Sequence, residues 1–361
     1  MKPDPTSMAE ESAQPALATE RLVIETSELW LPKIGERNKT LVISPGRAQS
    51  ATELLRIRAT ESVQAWHLDL HDATMTAAAC DESIDVLSGA DLPEMEFDLV
   101  VMPILKRGEA ELTRDLLQQS HQRLTTGGWF LASVDNPKDT WLHDQLKALF
   151  GKVTAHRAKT GCVYWCRKST PLKKEKDFRC EFSFRDGGRN FQVITRPGVF
   201  SHRRLDPAAK QLMLSCDIGE TDNVLEMGCG SGAVSLAAAA CTSGTVFGVD
   251  SNARAVQCVQ ESAAKNELTN IETIWNADGE ISLPVEVDLA FANPPYFSDE
   301  QIAQHFVDTS LRLLRTGGAL LSVTKKPNWF EAYYDALGLD DILLFEAGHY
   351  VVACGRKPST A

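Results

Sequence analysis

The tetrapeptide Asn293-Pro294-Pro295-Tyr296 sets a side-chain amide, an acceptor carbonyl and an aromatic ring side by side. Two consecutive prolines cannot donate to a sheet ladder, and they push the preceding residue into an extended conformation, so FANPPY should end a strand. An exocyclic amine on an aromatic base, or an amide nitrogen, is a poor nucleophile because its lone pair is delocalised. If the Asn293 side-chain oxygen and the Pro294 carbonyl each accept one N–H, they hold such a nitrogen in place and favour a more pyramidal geometry. The gain is positioning and electrostatics without a strong general base. Tyr296 offers a flat face on which a base can stack. A tight turn alone would also account for Asn-Pro-Pro, so the rest of the chain has to decide.

VLEMGCGSGAVSLAAAA, residues 224–240, runs from an apolar strand through Gly228, Gly230 and Gly232 into an alanine-rich helix. Glycines there let the backbone turn sharply and let a ligand lie against it. Glu226 stands two residues before the first glycine, Asp250 ends the next strand in VFGVD, and Asp278 follows the third in WNADGE. A second-strand acid suits a bidentate grip on ribose hydroxyls, and a third-strand acid can accept from an adenine amine. Nicotinamide dinucleotides would use the same ribose acid, although their fingerprint is G-x-G-x-x-G, whereas this loop reads G-x-G-x-G.

The elements that must position these residues occur twice. At an offset of 190 residues FDLVVMPILKRGE lies over VDLAFANPPYFSD, bringing Asp98 onto Asp288, and Gly127-Gly128 falls on Gly317-Gly318. Matches across several elements mean a duplicated domain. In the second copy the strand-like runs NVLEMG, TVFGVD, IETIW, VDLAFA, GALLSV and VVACG alternate with helical stretches. This predicts an α/β fold, each copy a doubly wound, mostly parallel sheet with helices on both faces. TLVISP, VQAWHLDL, FDLVVMP, GGWFLASV and CVYWC repeat the cadence in the first copy. Ligands bind at the carboxyl ends of strands in such sheets, which places Glu226, Asp250, Asp278 and Asn293 on one edge. The expected division is a flexible tail over 1–20, a first domain over 21–168, a basic linker over 169–195 and a second domain over 196–361.

The glycine loop with its upstream acid resembles the first motif of class I S-adenosylmethionine-dependent methyltransferases, and NPPY resembles the fourth motif of amino methyltransferases acting on adenine, guanine or glutamine. PGVFSHRRLDPAAKQLM, residues 197–213, is similar to the segment preceding the glycine loop in the ribosomal RNA guanine-N2 methyltransferases. That resemblance implies two tandem Rossmann-like methyltransferase domains with a degenerate first copy, S-adenosylmethionine as cofactor, and N2 of a guanine in ribosomal RNA, 16S favoured, as acceptor. By the same resemblance Phe200, Leu205 and Asp206 would help close the cofactor site. Glutamine methylation in a protein, or a non-catalytic RNA-binding module that kept a cofactor pocket, are the alternatives. The first copy reads LVISPGRAQSA at the place of the glycine loop and Pro103-Ile104-Leu105-Lys106 at the place of NPPY, so neither acceptor pair nor base platform survives.

Hydrophobic and charged fractions of 43% and 24% are those of an ordinary globular protein. No apolar run is long enough to span a bilayer, and the first residues lack the order of a secretory signal. A cytoplasmic monomer is expected. Nine scattered cysteines read as reduced and structural, with no metal site. His67 and His71 lie in HLDLH, which alternates like a strand, and Lys325 and Lys326 read as a solvated turn. Trp275 suits either an adenine platform or the core. A net charge of −12 argues against indiscriminate nucleic-acid coating, yet residues 167–210 carry twelve Lys/Arg against five acids. Arg203 and Arg204, in that stretch, are the candidates for holding RNA phosphates.

Overall fold

A computed structural model of the chain describes residues 15–57, 59–295 and 300–358. The chain divides into two compact units whose boundary falls between Phe178 and Arg179. In the first, strands β1 (Arg37–Ile43), β2 (Thr60–His67), β3 (Asp85–Ser88), β4 (Phe97–Ile104), β5 (Leu124–Val134), β6 (Val153–Arg157) and β7 (Cys162–Arg167) form one sheet in the order β3-β2-β1-β4-β5-β7-β6. The pairs along β3-β2-β1-β4-β5 are parallel, and β7 runs antiparallel to both β5 and β6. Leu41, Val100 and Met102 belong to the apolar core on one face, and Val42, Leu99 and Val101 to that on the other. Burial on both faces is why these strands read as continuous apolar runs.

The second unit starts with a hairpin, β8 (Cys180–Asp186) and β9 (Arg189–Thr195). Its sheet contains β10 (Val224–Met227), β11 (Val246–Asp250), β12 (Ile271–Trp275), β13 (Val287–Ala292), β14 (Leu314–Thr324), β15 (Asp340–Ala347) and β16 (Tyr350–Arg356). The order β12-β11-β10-β13-β14-β16-β15 repeats that of the first sheet. Residues matched in sequence do the same work in both units. Asp98 accepts from Lys39 N and Thr125 Oγ1 at 3.3 Å, and Asp288 accepts from Asn223 N at 2.8 Å and Arg315 Nε at 2.5 Å.

Several expectations change. The tail was expected to run to residue 20, but helix Ala18–Glu25 is packed, with Thr19 and Glu20 buried and Ser133 Oγ donating to Thr19 O at 2.6 Å. Residues 1–14 lie outside the described residues. The expected linker over 169–195 ends early, because CEFSFRD-GG-RNFQVIT folds as the β8–β9 hairpin of the second unit. Gly187 and Gly188, at φ 51° and 81°, make its tight turn. Phe184, Phe191 and Val193 share a core with Ala233, Leu236 and Ala237, and Ser262 Oγ accepts from Ile194 N at 2.9 Å. The alternation around Gly-Gly was the overlooked signal. HLDLH is not strand throughout: β2 stops at His67, and Asp69 caps helix Leu70–Ala79. The edge strands β3 and β6 lack an apolar run, whereas β15 carries one, residues 342–345, that it leaves largely exposed; none of the three was expected from sequence.

A Cβ on Gly318 would lie 2.9 Å from Arg315 O and 3.0 Å from Asp288 O. Gly318→Ala should therefore cost about 1–3 kcal/mol, as overpacking does, read as a lower urea midpoint at unchanged m-value.

Candidate active site

The glycine loop leaves β10 with φ of 71°, 49° and 78° at Gly228, Gly230 and Gly232, a region that penalises a Cβ. Space forbids one as well: it would stand 2.7 Å from the Phe306 ring at Gly228 and 2.6 Å from Val259 at Gly232. Val249 O accepts from Gly228 N at 2.8 Å and Cys229 N at 2.9 Å. Asp250, at the end of β11, accepts from Gly230 N through Oδ2 at 2.8 Å and from Asn252 N through Oδ1 at 2.9 Å. Glu226 is buried, and its Oε2 accepts from Ser235 N at 2.8 Å and from Ser235 Oγ, tying β10 to the first turn of helix Ala233–Ala239. Burial, aided by the nearby Asp250 charge, pushes the Glu226 carboxyl up to about 8 against the pull of the Ser235 bonds.

The segment 197–206 lies over this loop. Phe200 is 63% exposed, and its Cβ lies 3.4 Å from where a Cβ on Gly230 would be. Two residues the sequence reading did not single out hold the segment: Asn252 Nδ2 donates to Gly198 O and the buried Arg254 donates to Pro197 O, both at 2.7 Å. Nothing in their spacing announced this, since both bonds join residues more than fifty apart in sequence. Ser201 and Arg203 have φ of 60° and 92°, so the segment is held in a costly conformation. Arg203 and Arg204 are exposed, and Arg203 reaches Cys180 Sγ at 3.8 Å.

At its far end, Asp206 caps helix Pro207–Met213, its Oδ2 accepting from Ala209 N at 3.0 Å. The same oxygen accepts from Asn293 Nδ2 at 2.9 Å. β13 stops at Ala292, as the prolines require, so Asn293 stands at the carboxyl end of the sheet. One segment thus joins the glycine loop to Asn293. Pro294 and Pro295 border a shallow recess together with Glu300, Lys326, Trp329 and Phe330. Lys326 is therefore more than a solvated turn, since it lines the recess and pairs with Glu300, while Lys325 lies 5.2 Å from the Tyr350 ring centroid. Tyr296 lies outside the described residues.

Asp278 is exposed and apart from Asp250's backbone bonds, accepting from Asn276 Nδ2 at 2.8 Å and Glu280 N at 3.0 Å. Burial pushes its carboxyl up, but these hydrogen bonds outweigh it and hold it below the usual range. Trp275 is not core: it is 40% exposed, its Nε1 donating to Ser251 O at 2.9 Å. Among the described residues no group of three or more potential metal ligands stands together, and Cys162 and Cys166 are both free and buried in β7. No helix among the described residues is long and apolar enough to cross a membrane.

The corresponding edge of the first unit is filled by its own chain. Aligned through the ladders, Thr40 opposite Leu99 corresponds to Val224 opposite Leu289, so Ser44 takes the place of Gly228 and Pro103 that of Asn293. The β1–β2 and β10–β11 registers likewise put His67 at the place of Asp250. Leu17 packs on Gly46, and Glu20 Oε1 accepts from Ser44 Oγ at 2.9 Å and Ser50 Oγ at 3.2 Å. Burial first, and Arg47 second, lower the His67 pKa to about 4, so a neutral ring replaces the carboxylate.

The folded state holds the Glu226 proton more tightly than the unfolded chain does. The stability this carboxyl contributes is present below its ordinary value of 4.5 and is lost as pH rises through about 8. Glu226→Gln keeps an acceptor for Ser235 without the charge. Its thermal midpoint should gain on the parent's as pH rises through that window; a constant gap would show that the carboxyl is not desolvated.

Residues 190–341 match the methyltransferase small domain family. The chain is 29% identical over 243 residues to the ribosomal RNA small subunit methyltransferase C of Pseudomonas entomophila, covering 64% of this chain and 71% of that one. It is 33% identical over 138 residues to the ribosomal RNA large subunit methyltransferase G of Shewanella amazonensis, 36% of each chain. Among solved structures, a 16S rRNA guanine-N2 methyltransferase of T. thermophilus, in complex with AdoMet and guanosine, superposes with a TM-score of 0.77 at 21% identity, covering 94% of this chain and 91% of that one. Two sheets of identical strand order, a glycine loop tied to Asp250 and a second domain matched to the methyltransferase small domain family lead to one conclusion: the chain has the tandem-domain fold of the class I methyltransferases and is similar to the small subunit methyltransferase C proteins.

Proposed function

We propose that the chain transfers a methyl group from S-adenosylmethionine to the exocyclic N2 amine of a guanine in ribosomal RNA, with 16S rRNA as the RNA. The observation that carries this reading is the segment 197–206, which has Phe200 at Gly230 and Asp206 on Asn293, so that a cofactor loop and an acceptor-binding amide share one support. The relatives named for small-subunit rRNA methylation, and the solved relative with its AdoMet and guanosine, support the choice of cofactor and base.

The residues present fit the cofactor. The loop 228–232 carries no basic side chain and is flanked by the carboxyls of Glu226 and Asp250, which suits a sulfonium cation and opposes a pyrophosphate. Asp250 and Asp278 supply acceptors for ribose hydroxyls and an adenine amine, Gly228, Gly230 and Gly232 let the ligand approach the backbone, and Phe200 covers the loop. When bound, S-adenosylmethionine supplies an electrophilic methyl group. Asn293 Oδ1 and the Pro294 carbonyl accept the two N–H groups of the guanine amine and orient its nitrogen. Tyr296 provides the stacking face. Positioning and preorganised acceptors lower the barrier, with no side chain required to remove the proton before transfer. The second unit carries the chemistry, and the first, its own edge filled, serves as folding and RNA-binding partner. Arg203 and Arg204, exposed at the entrance, hold phosphates.

The direct test is incubation of 16S rRNA, and of small subunits, with labelled S-adenosylmethionine, followed by nucleoside mass spectrometry. N2-methylguanosine is expected; label in protein that survives ribonuclease would overturn the RNA reading.

Asn293→Ala should lower turnover at least 100-fold with donor affinity near the parent's, as removal of a positioned acceptor does. Asp250→Ala should weaken donor binding first, because it removes both the ribose acceptor and the tether on Gly230. Calorimetry and single-turnover kinetics separate the two, and the assignment fails if both variants behave as the parent does. Reversing Arg203 and Arg204 to Glu should raise KM for RNA and flatten the salt dependence by roughly 0.7–0.9 log–log units per lost phosphate contact, with donor affinity intact. An unchanged slope would remove these arginines from the RNA path.

A further inference from the structure

We propose that Asp206 is the positioning residue that fixes which end of the Asn293 amide faces the acceptor nitrogen, a role that rests on the function proposed above. A terminal amide can turn by half a rotation about its last torsion at little cost, exchanging an oxygen for an NH₂. Facing a guanine amine, the wrong end sets donor against donor. Asp206 Oδ2 accepts from Asn293 Nδ2 at 2.9 Å, so it holds the nitrogen end and leaves Oδ1 for the substrate. Among the described residues Asn293 Oδ1 makes no hydrogen bond of its own.

Asp206 is itself anchored. The same Oδ2 accepts from Ala209 N at 3.0 Å, and Ala208, Ala209 and Leu212 of helix Pro207–Met213 are buried against Val224 and Leu321 of the sheet. The amide orientation is thereby referred to the core, not to a mobile side chain.

The duplication supplies an internal control. Helix Ala18–Glu25 packs on β5 as Pro207–Met213 packs on β14, yet its N-cap is Leu17, with no side-chain cap. The fold therefore builds this helix without a capping carboxylate. In the first unit Pro103 stands at the place of Asn293, so both members of the pair are missing together. Carboxylate and amide occur as a pair in the unit that carries the proposed chemistry.

The test separates capping from positioning. Asp206→Ser keeps a good N-cap, but its hydroxyl is too short to reach Asn293. Asp206→Asn keeps an oxygen that can accept from both partners. For Asp206→Ser we expect a 10- to 100-fold fall in kcat, with thermal midpoint, donor affinity and KM for RNA near the parent's. Asp206→Asn should lose only about threefold of kcat, the difference being the positioning effect. In the Asn293→Ala background the serine substitution should cost nothing further, because the two residues act through one bond. Equal losses in Asp206→Ser and Asp206→Asn, or a serine loss of the same size without Asn293, would overturn the positioning role alone. A parent that methylates no acceptor overturns the functional reading and the positioning role with it.

Discussion

The hydrogen bond from Gly230 N to the Asp250 carboxylate is the contact on which the site's geometry depends. It joins the turn after β10 to the end of β11, two strands that are neighbours in the sheet but separated by a helix in the chain. Once this bond is made, the three left-handed glycines have a defined path and Phe200 has a floor to rest on. Left-handed backbone there is tolerable because none of the three residues carries a Cβ, and two of the three spaces are already taken by Phe306 and Val259.

Around that bond two carboxyls crowd together. Burial first, and the nearby Asp250 charge after it, disfavour ionisation of Glu226. In the proposed reaction this strain has a use: a cationic donor offsets it, whereas a pyrophosphate would add to it. The same carboxyl also holds Ser235, so one side chain serves both the electrostatics of the loop and the attachment of its helix.

The two units show how much of the fold survives without the chemistry. Strand order, the bulged Gly-Gly strand and the Asp98 and Asp288 contacts are common to both. What differs is the edge: Ser44, His67 and Pro103 replace a glycine, a carboxylate and an amide, and Leu17 and Glu20 close over them. A neutral His67 in place of Asp250 offers no carboxylate to tether a loop, and Leu17 and Glu20 pack over that edge instead.

The glycine spacing, the acids after strands, the stop at Asn-Pro-Pro and the internal repeat were legible from sequence because each is a local pattern with a local cause. Backbone sterics force the turns, and two-sided burial forces the apolar runs. The edge strands β3 and β6 and the end of β2 were not legible, since those two strands carry no apolar run and Asp69 takes over as a cap. Nor could spacing reveal that Asp206 meets Asn293, 87 residues away, or that Arg254 carries Pro197. The sequence by itself determined the layers, the duplication and the residue types placed after the strands, because periodicity and turn chemistry act over a few residues. Only the tertiary structure decided which polar atoms pair there, because a hydrogen bond across the sheet edge depends on the register of several strands at once and no short stretch of chain encodes it.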